Sequence, residues 1–258
     1  MLKNKYNPYA IIIQARLNST RLKNKVLKKI HKDLTVLDFL ILRLLNNFES
    51  NKIIFALAKN PNNFKIINIL NKYKIKYLEG SENNVLKRYF DCSKIFRIRN
   101  IIRITSDCPL VDPFLVEKMY KYFKKNKLEY LANTQPEKNK KYPDGSDIEI
   151  FTFDALKKMF KLKINKHDKE HVTIKFWSSS KFKSKIYFSR LDFSQYRYSI
   201  DYKSDITILK FIINKLKKLK QFGLTKEIVE IINKDKMIKN IMQNNIIKQR
   251  LRRKNIFI

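Results

Sequence analysis

The sequence predicts an α/β protein with a mostly parallel, mixed sheet and helices on both faces. Three observations predict it. Short β-branched runs such as Ile11-Ile12-Ile13 and Ile53-Ile54 alternate with amphipathic segments through the first half of the chain, the pattern that feeds parallel strands through helical crossovers. Several of these runs stop abruptly at polar loops, as fully buried strands do. Finally, 258 residues with 44% hydrophobic content suffice for one sizeable core.

In chain order, Tyr9 to Ala15 reads as a strand and Thr35 to Asn46 as a Leu-dense helix. Lys52 to Ala58 is the next strand, and the spacing after Asn60-Pro61 predicts a helix from Asn62 to Tyr73. Lys76 to Leu78 is a short strand leading into Gly80-Ser81-Glu82, a turn that can cap a helix from Asn83 to Phe96. Asn100 to Thr105 is a strand, after which Asp112 is placed as an N-cap with Pro113 at the first helical position. Beyond the turn Tyr142-Pro143-Asp144-Gly145, Asp147 to Phe151 alternates as a strand and Thr152 to Lys161 is helical. Lys166 to Trp177 reads as one helix, Lys185 to Ser189 and Tyr196 to Ile200 as strands, and Ser204 to Lys218 as an amphipathic helix. With no Pro/Gly/Ser-rich linker and no repeat, residues 1–233 form one expected domain, and residues 234–258 a basic helix or tail.

Composition narrows the function. The net charge of +34, from 57 Lys+Arg against 23 Asp+Glu, invites a nucleic-acid reading. Lysines, however, are spread through nearly every segment beside abundant Asn and Ile, and Tyr89, Phe90, Phe151 and Phe153 fall at core-like spacings. A general compositional bias explains the charge better than a polymer-binding face, and no specific nucleic-acid partner is expected. Cys92 and Cys108 make neither a disulfide framework nor a zinc spacing. No run reaches the roughly 18 apolar residues of a membrane span, and a cytoplasmic location is expected.

The most informative stretch runs from Ile11 to Val26. A buried strand delivers Arg16, Arg21 and Lys25 into a polar loop where Asn18, Ser19 and Thr20 can turn the chain. Loops at the carboxyl ends of such strands collect ligands, and guanidinium forks with backbone N–H groups suit phosphate. Asp107 leaves another strand end beside Pro109 and is placed to help hold a divalent cation. Asp201 ends a further short strand and could supply a second carboxylate, while Asp205 sits where it favours a helix dipole. Asp147 and Glu149, two apart on an expected strand, concentrate acceptors suited to sugar hydroxyls. Glu170 and His171 stand near a helix start.

These clusters together resemble a family. Gln14-Ala15-Arg16 with Ser19-Thr20-Arg21 and Lys25, Gly80-Ser81-Glu82 with Arg88-Tyr89, Arg103 with Asp107-Cys108-Pro109-Leu110, Asp144-Gly145 with Asp147 and Glu149, Glu170-His171, and Asp201 with Asp205 occur in the order found in cytidylyltransferases of the spore-coat polysaccharide SpsF type. That group is similar to acylneuraminate and 3-deoxy-manno-octulosonate cytidylyltransferases. The resemblance spans roughly residues 9 to 215. It implies a Rossmann-like nucleotidyltransferase fold, a homodimer, and activation of an acidic or modified surface-polysaccharide sugar with CTP to give a CMP-sugar and pyrophosphate. On that reading Gln14, Ala15, Arg16, Ser19, Arg21, Lys25, Gly80 and Ser81 bind the nucleotide. Arg16, Lys25, Asp107 and Asp201 are the catalytic set, with Asp107 and Asp201 holding Mg²⁺. Glu82, Asp147, Glu149, Glu170 and His171 face the sugar, while Arg88 and Arg103 either reach the site or buttress it.

The chain departs from that pattern in places. The family usually reads Arg-Leu-Pro-Gly-Lys over residues 21–25 and has Gly at 18. Asn18 and Asn24 tolerate positive φ and are expected to preserve the turns. Asn83 and Asn84 stand where acidic residues are commoner, and the basic tail has no counterpart. Rival readings are a sugar-1-phosphate nucleotidyltransferase or a nucleotide-sugar-dependent glycosyltransferase of similar fold, and, more remotely, a basic nucleic-acid-binding protein.

Overall fold

A computed structural model describes residues 6–218 and 223–256, with the side chains of 138 and 253–256 outside the description. The strands are β1 (Asn7–Ala15), β2 (Lys29–His31), β3 (Leu34–Thr35), β4 (Ile53–Ala58), β5 (Lys76–Gly80), β6 (Ile98–Thr105), β7 (Tyr130–Ala132), β8 (Glu149–Thr152) and β9 (Ser184–Ile186). The α-helices are α1 (Val36–Leu45), α2 (Phe64–Lys72), α3 (Val85–Ile95), α4 (Pro113–Lys125), α5 (Phe153–Met159), α6 (Lys166–His171), α7 (Ile174–Ser178), α8 (Lys203–Lys218), α9 (Thr225–Asn233) and α10 (Lys236–Ile256). Seven strands form one sheet in the order β5-β4-β1-β6-β8-β7-β9. The pairings β5-β4, β4-β1 and β1-β6 are parallel, β8 runs antiparallel between β6 and β7, and β9 is parallel to β7.

Period-two alternation divides each central strand between two cores. In β1, Ile11 and Ile13 join one buried cluster while Ala10 and Ile12 join the other. Ile53, Phe55 and Leu57 of β4 follow the first pair, and Ile54 and Ala56 the second. With both faces covered, the strands read as continuous apolar runs. A third cluster gathers Ile208 and Ile212 of α8, Ile228 and Ile232 of α9 and Ile238 and Met242 of α10 around Tyr198 and Ile200.

Local capping fixes the helix starts. Asp112 accepts from the amides of Phe114 and Leu115 at 3.0 and 3.1 Å, with Pro113 at the first helical position. Asn84 accepts from Lys87 N at 2.9 Å, so α3 begins two residues after the expected start.

The second half departs further from the periodic reading. The single helix expected over Lys166 to Trp177 is two, because Val172 takes φ 65° and breaks the ladder. Tyr196 to Ile200 is not a strand; its one bridge pairs Arg197 with Asp144. The strand expected from Asp147 begins at Glu149, so Asp147 stands in the preceding loop. The strand at 185–189 is shorter and starts at Ser184. The hairpin β2-β3, strand β7 and helix α9 were not among the expected elements. The basic stretch from Asp235 is helical as α10 and packs through Ile238, Met242 and Asn245, each about 1% exposed.

Candidate active site

Strands β1 and β6 lie side by side with Gln14 opposite Thr105, so the loops that follow them open at the same end of the sheet. Between them is a cavity of about 240 Å³ whose wall includes Gln14, Ala15, Arg16, Ser19, Arg21 and Lys25 from the first loop and Thr105, Ser106 and Asp107 from the second. The first loop turns at Asn24, which takes φ 53° and ψ 31°. That is the left-handed conformation where glycine is usual and Asn is tolerated. Asn18 remains outside the positive-φ region and instead donates from Nδ2 to Glu82 Oε1 at 3.0 Å, so only one of the two expected turn substitutions acts through φ.

Lys25, 8% exposed, organises the floor. Its Nζ donates to Asp107 Oδ2 at 2.6 Å, to Asp201 Oδ1 at 3.0 Å and to the carbonyl of Ile200 at 2.8 Å. The amide of Ile200 donates in turn to the carbonyl of Asp107 at 2.8 Å, tying the two carboxylate-bearing loops together. Burial alone would lower the Lys25 pKa, but the charges of Asp107 and Asp201 raise it above its ordinary value. Burial alone would raise the Asp107 carboxyl, yet the Lys25 ammonium and hydrogen bonds from Lys25 and Thr105 hold it well below the usual carboxylate range.

Asp201 carries the heavier charge load. Oδ2 takes Arg21 Nη1 at 2.8 Å and Arg197 Nη2 at 3.0 Å, while Oδ1 faces Lys25. Arg197, 1% exposed, also pairs with Asp205 Oδ1 at 2.7 Å. Asp205 does more than favour a helix dipole: Oδ2 accepts the amides of Asp201 and Tyr202 at 2.7 Å each. Helix α10 closes this network, since Asn245 donates to Asp205 Oδ1 at 2.7 Å and Gln249 to Asp144 Oδ2 at 3.0 Å. Arg197 escaped sequence reasoning. Its one signal was an arginine between Tyr196 and Tyr198 in a stretch otherwise destined for burial.

The other expected residues divide between cavity wall and support. Glu170 and His171 line the cavity, with Glu170 Oε1 4.0 Å from Arg16 Nη2. Arg103 lines it too and gives Nε and Nη2 to Gln14 Oε1 at 3.2 and 3.0 Å. Glu149, expected at the sugar, is 3% exposed and does not line the cavity; it pairs with Arg103 and accepts from Tyr130 and Thr173 hydroxyls at 2.5 Å. Its carboxylate is consumed in aiming Arg103. Asp147 likewise turns away, accepting from Thr134 Oγ1 at 2.6 Å and Gly145 N at 2.8 Å. Burial and the nearby Asp144 push its carboxyl up to about 6. Glu82 and Ser81 are exposed at the rim, and Gly80 ends β5; none of the three forms the cavity wall. Cys108 is buried with its thiol pKa raised well above the usual range, so it is no nucleophile.

A model of the family described as "Cytidylyltransferase" matches residues 10–250. The chain belongs to the cytidylyltransferase family. The match takes in most of α10, beyond the 9–215 span of the motif resemblance. An uncharacterised protein of Methanocaldococcus jannaschii is 32% identical over 240 residues, 90% of this chain and 93% of that one. The spore coat polysaccharide biosynthesis protein SpsF of Bacillus subtilis is 34% identical over 117 residues, 44% of this chain and 48% of that one. Among solved structures, a cytidylyltransferase from Leptospira borgpetersenii superposes with TM-score 0.80 at 30% identity, covering 92% of this chain and 97% of that one. A CMP:2-keto-3-deoxy-manno-octonic acid synthetase complexed with CTP shares the fold at TM-score 0.61 and 12% identity, covering 81% and 99%. As a family member the protein is a nucleotidyltransferase.

The donor set of this cytidylyltransferase suits a divalent ion completed by substrate. Among the described residues no three His, Cys, Asp or Glu side chains are grouped as a metal cage. Asp107 is 28% exposed and engages Lys25 through Oδ2, while Oδ1 lies 3.9 Å from the Cys108 thiol. Asp201 is held through Oδ2 by Arg21 and Arg197 and through Oδ1 by Lys25, so it reaches a metal only in exchange for one of these cations. One or two carboxylates plus phosphate oxygens is the usual Mg²⁺ arrangement.

Proposed function

We propose that this cytidylyltransferase uses CTP and a divalent cation, Mg²⁺ in the cell, to transfer a CMP group to the hydroxyl of an acidic or modified sugar. The observation that carries the reading is the Lys25 bridge: one ammonium on the cavity wall holds the wall residue Asp107 to Asp201, which is buried behind that wall, and the rim carries Arg16 and Arg21. Triphosphate needs dispersed cations, and the α-phosphorus needs a carboxylate-held metal beside it. The cavity wall brings Arg16, Arg21 and Lys25 together with Asp107, which supports that reading.

In the reaction a sugar hydroxyl oxygen bonds to the α-phosphorus and gives up its proton to solvent as the bond from that phosphorus to the bridging oxygen of the β-phosphate breaks, and pyrophosphate leaves. Such transfers depend on alignment and charge neutralisation more than on covalent participation by the protein. Arg16, about half exposed at the rim, meets the β- and γ-phosphates, and Arg21 joins it on leaving Asp201. Ser19, buried in the loop, presents its hydroxyl and the neighbouring amides at the same anion. Lys25 stays with Asp107 and fixes where that carboxylate stands. Asp107 and Asp201 would hold the metal, which when bound neutralises phosphate charge and polarises the reacting oxygens. Glu170 and His171, on the wall beside Arg16, are placed for the acceptor sugar. Asp147 and Glu149 support this site from behind.

The test is pyrophosphate release from CTP with Mg²⁺ across a panel of acidic and modified sugars, in the wild type and in Asp107→Asn. One sugar should support release, and the substitution should suppress it at least a hundredfold. Full activity in Asp107→Asn would overturn the metal assignment.

A further inference from the structure

Arg88 is 2% exposed, lies on α3 and lines the cavity, yet takes no part in the phosphate chemistry described above. Only one end of its guanidinium is engaged. Nη1 donates to the carbonyls of Ala15 at 3.3 Å and Ala56 at 2.9 Å, which anchors the group between the ends of β1 and β4. Among the described residues Nε is buried with no hydrogen-bond partner, and no protein acceptor engages Nη2. A buried, unsatisfied donor on a cavity wall is costly unless a ligand completes it.

The fold makes room for this placement. Strand β5 ends at Gly80, where a Cβ would stand 2.9 Å from Arg88 Cγ. Any side chain at 80 would push the arginine stem aside. The backbone at Gly80 and the guanidinium anchored to Ala15 and Ala56 therefore hold the free Nε–Nη2 edge in one orientation.

We propose that Arg88 reads the base, donating from Nε and Nη2 to two adjacent acceptors on a pyrimidine edge. The inference rests on the CTP reading and assigns the residue that enforces it. Cytosine presents O2 and N3 side by side as acceptors, which matches a guanidinium fork. Uracil carries a hydrogen on N3, so one donor would face another donor. A site built to hydrogen-bond a group rejects the analogue that lacks it far more strongly than an apolar pocket can. Guanine offers a comparable acceptor pair in O6 and N7 on a larger base, so GTP belongs among the competitors.

The experiment is calorimetric titration of the full-length protein with CTP, UTP, GTP and 3-deazacytidine 5′-triphosphate in Mg²⁺, for the wild type and Arg88→Lys. The deaza analogue replaces N3 by C–H and removes one acceptor without touching the protein. The wild type should bind CTP at least tenfold more tightly than UTP, GTP and the deaza analogue. In Arg88→Lys the CTP advantage over UTP and over the deaza analogue should shrink at least tenfold, with UTP affinity little changed. Equal weakening of CTP and UTP would make Arg88 a structural brace and overturn the proposal. Wild-type binding of the deaza analogue as tight as that of CTP would overturn it as well, whether or not Arg88→Lys folds. If instead the wild type prefers UTP or GTP, or binds none of the four, the CTP reading itself fails and this assignment falls with it.

Discussion

Arg197 holds Asp201 from beneath: Nη2 meets Asp201 Oδ2 at 3.0 Å while the arginine side chain is 1% exposed. The same guanidinium pairs with Asp205 at 2.7 Å, and Asn245 of α10 donates to that carboxylate. A carboxylate at the candidate site is thus fixed by a buried charge network reaching the C-terminal helix. Arg197→Met leaves Asp201 and Asp205 short of a compensating charge. Removing one partner of a buried pair costs about 3–5 kcal/mol, and urea denaturation should report a loss of that size.

Arg21 is expected to behave differently. It is 31% exposed and reaches Asp201 from the rim of the cavity, and Asp201, itself 5% exposed, keeps Lys25 and Arg197 when Arg21 is lost. Arg21→Gln should change the unfolding midpoint only slightly. A charge-assisted bond to phosphate is worth about 1.5–3 kcal/mol, so KM for CTP should rise roughly 10- to 100-fold. Steady-state kinetics set beside a thermal melt checks both halves.

Lys25→Met removes the ammonium shared by Asp107 and Asp201, leaving the two carboxylates facing each other. The Asp107 pKa in the native protein is depressed, so its contribution to stability is present above the ordinary carboxylate value near 4 and is lost as pH falls through the depressed value. The stability deficit of Lys25→Met should therefore be largest at neutral pH and shrink toward pH 3. A deficit independent of pH, measured by denaturation at several pH values, would contradict this origin.

Asp147 has the opposite sign. Its pKa is raised to about 6 by burial and by Asp144, so ionisation destabilises the fold as pH rises from about 4 through 6. Asp147→Asn keeps an acceptor for Gly145 N and reverses the Thr134 bond, its Nδ2 donating to the hydroxyl oxygen that in the wild type donates to Asp147. Each tenfold change in an acid dissociation constant is worth roughly 1.4 kcal/mol, so the substitution should stabilise the protein by about 3 kcal/mol at pH 8 and by much less at pH 4. Urea denaturation at the two pH values checks the difference.

Much of this architecture was legible in local chemistry. Ile11-Ile12-Ile13 and Ile53-Ile54 announced buried parallel strands because both faces of the sheet are covered. Asp112-Pro113 announced its helix through cap chemistry alone. The cavity also gathered most of the expected nucleotide residues, since they come from the end of β1 and the loop that follows it. What escaped depends on distant partners. Val172, β-branched, gives no sign of a break, yet the polypeptide turns there at φ 65°, beside Thr173, whose hydroxyl donates to Glu149. Glu149 looked like a sugar ligand until Arg103, Tyr130 and Thr173 were brought around it. Tyr196 to Ile200 alternates like a strand but makes a bridge between Arg197 and Asp144 instead of a ladder, and its last amide, that of Ile200, donates to the Asp107 carbonyl.

The central claim is that the cavity between the loops after β1 and β6 is a metal-dependent CTP site. Its most direct test is thermal unfolding of the wild type with each of the four nucleoside triphosphates, with and without Mg²⁺. At about 100 times Kd a ligand adds roughly 2.7 kcal/mol of stability, a shift of several degrees. The account predicts that shift with CTP and Mg²⁺ together, a smaller one for each other nucleotide, and its loss in Asp107→Asn. Equal stabilisation by all four nucleotides, or a CTP shift that persists in Asp107→Asn without Mg²⁺, would contradict it.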